Sequence, residues 1–167
     1  MKKNGLLKYI VLLFSIGLVG VDQLLKWIAQ VNLANLPERT LPIIQNVFHL
    51  TYVENRGAAF GMLDGKGIFL VVMTSVVIVG AIIFMLIDRI KSPFLMWSLG
   101  LIIGGGAGNL IDRLFRSYVI DYLDVRIIHF AVFNFADCCV VIGTILLMVY
   151  IVFHEVKSTK KKPDAHE

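Results

Sequence analysis

Two carboxylates stand beside stretches that would otherwise dissolve in lipid. They are Asp121, in Tyr118-Val119-Ile120-Asp121-Tyr122, and Asp137, which follows Phe133-Asn134-Phe135-Ala136. An ionisable group near the bilayer core costs roughly 2.5–3.5 kcal/mol, so its default reading is functional. Two close carboxylates cannot both ionise cheaply. One keeps a proton while the other acts as a base, and such a pair in a partly dry site can hydrolyse an amide. Amide and guanidinium groups accompany them: Asn109, Asp112 and Arg113 fall at i, i+3 and i+4 on one helix face, and Asn134 and Asp137 at i and i+3. Lipid offers such groups no hydrogen-bond partners, so they need each other or a substrate. The bland reading of Asp112 and Arg113 is an ion pair that tethers a helix end at the interface. Spacing leaves open which of Asp112, Asp121 and Asp124 faces Asp137.

The elements that position these groups are membrane spans. The chain has 167 residues, 57% of them hydrophobic and 17% charged, with a mean hydropathy of +0.79. A soluble domain carries about 25% charged residues and fewer apolar ones. The apolar residues come in four blocks, about 6–28, 68–87, 94–114 and 132–153. Twenty residues make a helix of roughly 30 Å, enough to cross the hydrocarbon. Segments of about 29–67 and 115–131 then lie outside the cell, and a tail of about 154–167 follows the last span. Lys2, Lys3 and Lys8 at the start, Arg89 and Lys91 in the second connection, and Lys157, Lys160, Lys161 and Lys162 at the end place both termini in the cytoplasm by the positive-inside bias. The first block imitates a secretory signal but runs on past Gly20 to Trp27, so it reads as a retained span. The net charge of +4 sits largely in the lysine-rich tail and does not mark a nucleic-acid site.

Within the outer segments, Thr40-Leu41-Pro42-Ile43-Ile44 and the run from Val47 to Val53 are β-prone. Asn55-Arg56-Gly57-Ala58-Ala59-Phe60-Gly61 suits a short interfacial helix or a turn. Together they suggest a small sheet-like platform at the membrane surface. Gly104 and Gly108 have the four-residue spacing that lets two membrane helices approach closely. In the first span, Asp22 and Lys26 stand at i, i+4 in the favourable order for a structural ion pair.

Other chemistries fare worse. Cys138 and Cys139 are adjacent and read as small apolar fillers. His49 and His129 are isolated outside, while His154 and His166 belong to the cytoplasmic side. A zinc HExxH motif, a Walker loop and a dinucleotide fingerprint are all missing from the sequence, and no metal or cofactor is implied. A proton-coupled carrier would place its ionisable groups near the midplane, often in repeated halves, and no repeat is present. A passive scaffold would not explain acids and amides gathered at outer helix ends.

Taken in order, five segments resemble the bacterial lipoprotein signal peptidases, or signal peptidase II family. They are Val21-Asp22-Gln23-Leu24-Leu25-Lys26, the Asn55-to-Gly61 segment, Gly105-Gly106-Ala107-Gly108-Asn109-Leu110-Ile111-Asp112-Arg113, Val119-Ile120-Asp121-Tyr122 and Phe133-Asn134-Phe135-Ala136-Asp137. The resemblance covers nearly the whole chain except the lysine-rich tail. It implies a single, mainly α membrane domain of four transmembrane helices with a small extracytoplasmic β-cradle and a short surface helix. It further implies an aspartic endopeptidase of the bacterial inner membrane, with its active site near the extracytoplasmic face. Such an enzyme removes signal peptides from diacylglyceryl-modified prolipoproteins just before the lipidated cysteine. On this resemblance Asp121 and Asp137 are the catalytic pair, and Asn55, Gly57, Asn109, Arg113 and Asn134 support the substrate. Asp22, Lys26 and Asp112 are structural. The implied partners are lipidated prolipoproteins, membrane lipid and the cyclic peptide inhibitor globomycin, with no nucleic acid, and the protein is expected to be a monomer. Tyr122 stands where the family more usually has Phe.

Overall fold

A computed structural model describes residues 3–57, 65–87, 90, 92–128 and 130–159. Four long helices dominate: α1 (Lys3–Leu33), α2 (Gly67–Leu86), α3 (Pro93–Arg116) and α4 (Phe135–Thr159). Each is long and apolar enough to cross a membrane. Much of their outer surface is apolar and exposed, as at Leu13, Val76, Ile145 and Val152, which suits lipid and not water. The chain is a multi-pass membrane protein.

α3 is the central helix and packs against each of the other three. Its glycine run explains how. Successive residues turn by about 100° around a helix, so three consecutive glycines face three different neighbours. A Cβ at Gly104 would meet Leu18 and Ser15 of α1; at Gly105, the Ala136 carbonyl oxygen of α4; at Gly106, Ile78 of α2. Without side chains there, three helices close onto one. The spacing of Gly104 and Gly108 is therefore only part of a wider smooth surface. Away from the sheet, Val11, Met85, Met96, Leu99 and Ile103 fill the bundle interior.

At one end of the bundle lies a three-stranded antiparallel sheet in the order β1 (Thr40–Ile44), β2 (Phe48–Asn55), β3 (Val119–Val125). The two β-prone runs of the sequence form β1 and most of β2, joined by a tight turn in which Asn46 takes φ 60°. β3 pairs with β2, with Asp121 opposite Val53 and Asp124 opposite His49. Tyr52, Ile120 and Tyr122 seat this sheet on Ala29 and Leu33 at the end of α1. The short surface helix expected after Asn55 would fall largely on residues 58–64, outside the described residues.

Candidate active site

Two connections bring the acids together. α3 ends at Ser117, whose left-handed backbone (φ 67°) closes the helix, with its N–H donating to the Arg113 carbonyl at 3.2 Å. The chain then turns directly into β3. After β3, Phe133 pairs back onto Leu123: its N–H donates to the Leu123 carbonyl at 3.0 Å, and its own carbonyl accepts from Leu123 at 2.8 Å. That pairing sets Asn134 and the start of α4 alongside β3.

Asn134 and Asp137 were expected to share a helix face; instead they form a capping box. Asn134 precedes the helix and its carbonyl accepts the first intrahelical bond, from Cys138 at 3.3 Å. Its Oδ1 accepts from the Asp137 N–H at 3.0 Å, and Asp137 Oδ2 accepts from the Asn134 N–H at 3.1 Å. Two otherwise orphaned N–H groups of the first turn are satisfied reciprocally, which fixes both side chains. The first turn of a helix also favours a negative charge.

Asp121 lies across from this turn. Its Oδ1 accepts from Asn134 Nδ2 at 2.6 Å and its Oδ2 from Asn55 Nδ2 at 2.8 Å. Asn55 is held in turn by the Gly57 N–H, which donates to its Oδ1 at 3.0 Å. The Gly57 carbonyl accepts from Arg113 at 3.1 Å. On the far side, Asn109 Nδ2 donates to Asp137 Oδ1 at 2.7 Å, and Asn109 Oδ1 accepts from Asn134 Nδ2 at 3.2 Å. Asn55, Gly57, Asn109, Arg113, Asn134 and the two acids thus form one connected network. Asp121 is almost wholly buried while Asp137 is half-buried. Burial lifts the Asp121 carboxyl to about 7, with the negative charge of Asp137 adding to the rise and the Asn55 and Asn134 donors opposing it.

The alternatives left open by spacing separate in the structure. Side chains alternate along a strand, so Asp124, three residues on, points to the opposite face of β3 from Asp121. There Asp124 accepts from Thr51 at 2.7 Å and pairs with Arg126 at 2.9 Å. Burial alone would raise its pKa, but Arg126 and Thr51 outweigh it and hold Asp124 below its ordinary value. Asp112 is sealed inside and does not pair with Arg113 as a tether would require. Adjacent residues on a helix point about 100° apart. Its partners are Arg116, one turn on, and Lys26 at 3.0 Å, and it also accepts from the Ile120 N–H at 3.2 Å. Arg113 turns instead toward Gly57, with its charge facing Asp137 and Asp121.

Asp22 and Lys26 pair at 2.8 Å, both fully buried. Asp22 also accepts from the Ala136 N–H at 3.1 Å, tying α1 to the first turn of α4. A Cβ at Gly108 would collide with the Asp22 carboxylate. Gln23 and Arg116 belong to this cluster and went unassigned in the sequence. Gln23 donates to the Gly108 carbonyl and to Asp112, each at 3.2 Å. Their signal was present: Gln23 adjoins Asp22, and Arg116 stands at i+4 from Asp112.

Two cavities reach Asp137. One of about 290 Å³ runs between α2, α3 and α4 past Thr74, Gly106, Asn109 and Arg113. The other, of about 350 Å³, is walled by Phe130, Val132, Phe133, Cys138 and Val141 and is almost wholly apolar. A hydrogen-bonding floor between apolar walls suits a peptide that arrives with hydrocarbon attached. Among the described residues, no three His, Cys, Asp or Glu side chains converge as a metal centre requires. His49 is buried in the sheet away from the acids, its Nδ1 lying 3.4 Å from Thr40. His129 lies outside the described residues.

Known proteins resemble this chain over most of its length. The family model of signal peptidase (SPase) II matches residues 14–153. A lipoprotein signal peptidase of Clostridioides difficile is 48% identical over 149 residues, covering 88% of this chain and 97% of that protein. One from Halothermothrix orenii is 48% identical over 143 residues, with 86% and 93% covered. Among solved structures, a bacterial membrane enzyme determined by the in meso method superposes with a TM-score of 0.79 at 26% identity, covering 95% of this chain and 94% of that one. A second such enzyme gives 0.73 at 28% identity, with 85% and 92% covered.

Proposed function

This chain belongs to the signal peptidase II family, and from that membership we propose a two-aspartate mechanism, carried by Asp121 and Asp137, for its lipoprotein signal peptidase activity. The observation that carries the reading is the position of Asn134. It donates to Asp121 at 2.6 Å through its side chain and to Asp137 at 3.1 Å through its backbone, and so holds the two acids on either side of one residue.

Asp137, at a helix N-terminus, acts as the base and draws a proton from a water. That water attacks the scissile carbonyl. Asp121, whose pKa stands at about 7, carries the proton that hydrogen-bonds the carbonyl oxygen. Collapse of the tetrahedral intermediate breaks the C–N bond, and the proton taken by the base passes to the leaving amine. Arg113 lines one cavity at Asp137 and, with Gly57 and Asn55 bonded in series beside it, holds the substrate backbone in register.

The substrate is a diacylglyceryl-modified prolipoprotein, cut just before its lipidated cysteine, with the acyl chains remaining in lipid or in the apolar cavity beside Phe133. The acids sit near the extracytoplasmic face and both termini are cytoplasmic, in keeping with the lysine-rich ends. Globomycin, as a cyclic peptide, would occupy the same floor, and a monomer suffices for the chemistry. The test is cleavage of a lipidated precursor by the purified protein with Asp121 or Asp137 changed to Asn. Each variant is expected to fold, insert and fail to cleave. Wild-type turnover in either would remove that residue from the pair. Chelators are expected to leave turnover intact, and inhibition reversed by added zinc would overturn the metal-free chemistry.

A further inference from the structure

The two acids hang from a ladder of side-chain amides, and the ladder ends on a buried ammonium. Lys26 Nζ has three hydrogens and three acceptors: Asp22 at 2.8 Å, Asp112 at 3.0 Å and Asn109 Oδ1 at 2.9 Å. The residue is fully buried. Two of those contacts are the structural ion pairs already described. The third leads toward the chemistry. Building on the two-aspartate reading, we propose that Lys26 is a positioning residue for peptide hydrolysis, acting through the Asn109 amide on Asp137 and, by way of Asn134, on Asp121.

A side-chain amide can present either its oxygen or its nitrogen, and only its neighbours decide which. An ammonium donates and never accepts, so Asn109 must turn its oxygen toward Lys26. The same oxygen accepts from Asn134 Nδ2 at 3.2 Å, which fixes it a second time. Asn109 is then obliged to offer its NH₂ to Asp137, at 2.7 Å. Asn134 is locked likewise, because its oxygen accepts the Asp137 backbone N–H, which cannot reverse. Its two side-chain hydrogens go to Asp121 and to Asn109. Each amide is thus held to one orientation by a donor that has no acceptor form.

Without the ammonium, Asn134 Nδ2 at 3.2 Å is the one donor left to Asn109 Oδ1 among the described residues, so the amide is held less firmly and more of the molecules turn its oxygen toward Asp137. Two oxygens without a proton between them repel, so Asp137 would shift or take up a proton, and either spoils the base. The other charges around the pair do not replace this lock. Arg113 is directed at Gly57, Arg116 at Asp112 and Gln23, and Asp22 and Asp112 are acceptors. Lys26 leaves the surface of the cavity unchanged, since it touches no open space. Its loss should therefore lower kcat and spare KM.

The experiment uses purified full-length protein and a lipidated precursor, with thermal unfolding measured on every variant. Lys26→Met alone would leave the buried Asp22 carboxylate without its cation and destabilise the fold for that reason, so the charge-balanced pair Asp22→Asn with Lys26→Met is used. It removes one charge of each sign, and Asp112 keeps Arg116 and the Ile120 N–H. The expected result is a kcat lower by about 10²-fold, as for a misplaced catalytic group, with KM within about twofold. In an Asn109→Ala background the same pair of changes should cost nothing more, because the route is already cut. Asp22→Asn with Lys26→Gln, which restores a donor to Asn109, should recover kcat to within about tenfold of wild type. A folded Met variant with wild-type kcat, an undiminished loss on top of Asn109→Ala, or a Gln variant as slow as the Met variant would overturn the role. Asp137→Asn in the same assay separates the two levels. If it cleaves, the two-aspartate reading fails; if it is dead while the Met variant is fully active, only the positioning role fails.

Discussion

The molecule holds two pairs of acids at the same end, and their partners differ. Asp22 and Asp112 close on Lys26, and Asp112 closes on Arg116 as well, so two negative charges meet two positive ones, with Asp22, Lys26 and Asp112 all buried. Asp121 and Asp137 receive side-chain hydrogen bonds only from neutral amides, and two cavities open at Asp137. Asp22 and Asp112 thus spend their oxygens on cations and backbone N–H groups and leave none for a substrate. Asp121, in a partly dry cleft, has its pKa lifted by burial to about 7, which suits general acid work. On the proposed mechanism the same residue type serves the fold in one place and the chemistry in the other.

The contrast breaks most sharply at Asp137. Its replacement by Asn should cut turnover by about 10⁴-fold, the upper range for loss of a general base, while leaving the unfolding temperature near wild type. The reverse pattern is expected at Asp22. Asp22→Ala strands part of a buried ion cluster and should cost roughly 3–5 kcal/mol of stability, read as earlier loss of structure in detergent titrations. If Asp22→Ala unfolds no sooner than wild type, the cluster is not what holds this end together.

Packing offers a third way in. Gly105 faces the Ala136 carbonyl directly, so Gly105→Val must push the first turn of α4 outward and carry Asp137 with it. A shift of about 1 Å should lower turnover by about 10²-fold with the protein still inserted. Turnover unchanged by this substitution would mean that the capping box does not depend on α3.

The pH profile sharpens the comparison further. Asp121 holds its proton up to about pH 7 because burial raises its pKa. The general acid is therefore present below that value and lost as pH rises through it, so kcat should fall on the alkaline side of about 7. A profile flat from neutrality to pH 9 would place the acid elsewhere. The smallest effect is expected at Tyr122, whose buried hydroxyl meets no side-chain partner among the described residues and only the Phe135 backbone. Tyr122→Phe removes at most one weak backbone contact and should change stability by no more than about 1 kcal/mol, measured as a shift in thermal unfolding.

Much of this was legible in the sequence. The four spans follow from unbroken apolar blocks, β1 and β2 from β-prone runs, and the Asp22–Lys26 pair from its spacing. Other features could not be read locally. Which of three acids meets Asp137 depends on strand parity and on the pairing of Phe133 with Leu123, a contact that brings α4 beside β3. Asn134 and Asp137 were read as one helix face, whereas the helix begins after Asn134 and the two residues cap it. The partner of Asp112 was misjudged for a similar reason. Adjacency in sequence suggested Arg113, but helical geometry hands Asp112 to Arg116 and leaves Arg113 to face Gly57.

The central claim is that Asp121 reacts while Asp112, its rival in the sequence, holds the fold. It is tested most directly by single-turnover cleavage of a lipidated precursor by Asp121→Asn, in protein shown to unfold at the wild-type temperature. No product above background is expected. Product formed at the wild-type rate, particularly if Asp112→Asn is folded and inactive in the same assay, would contradict it.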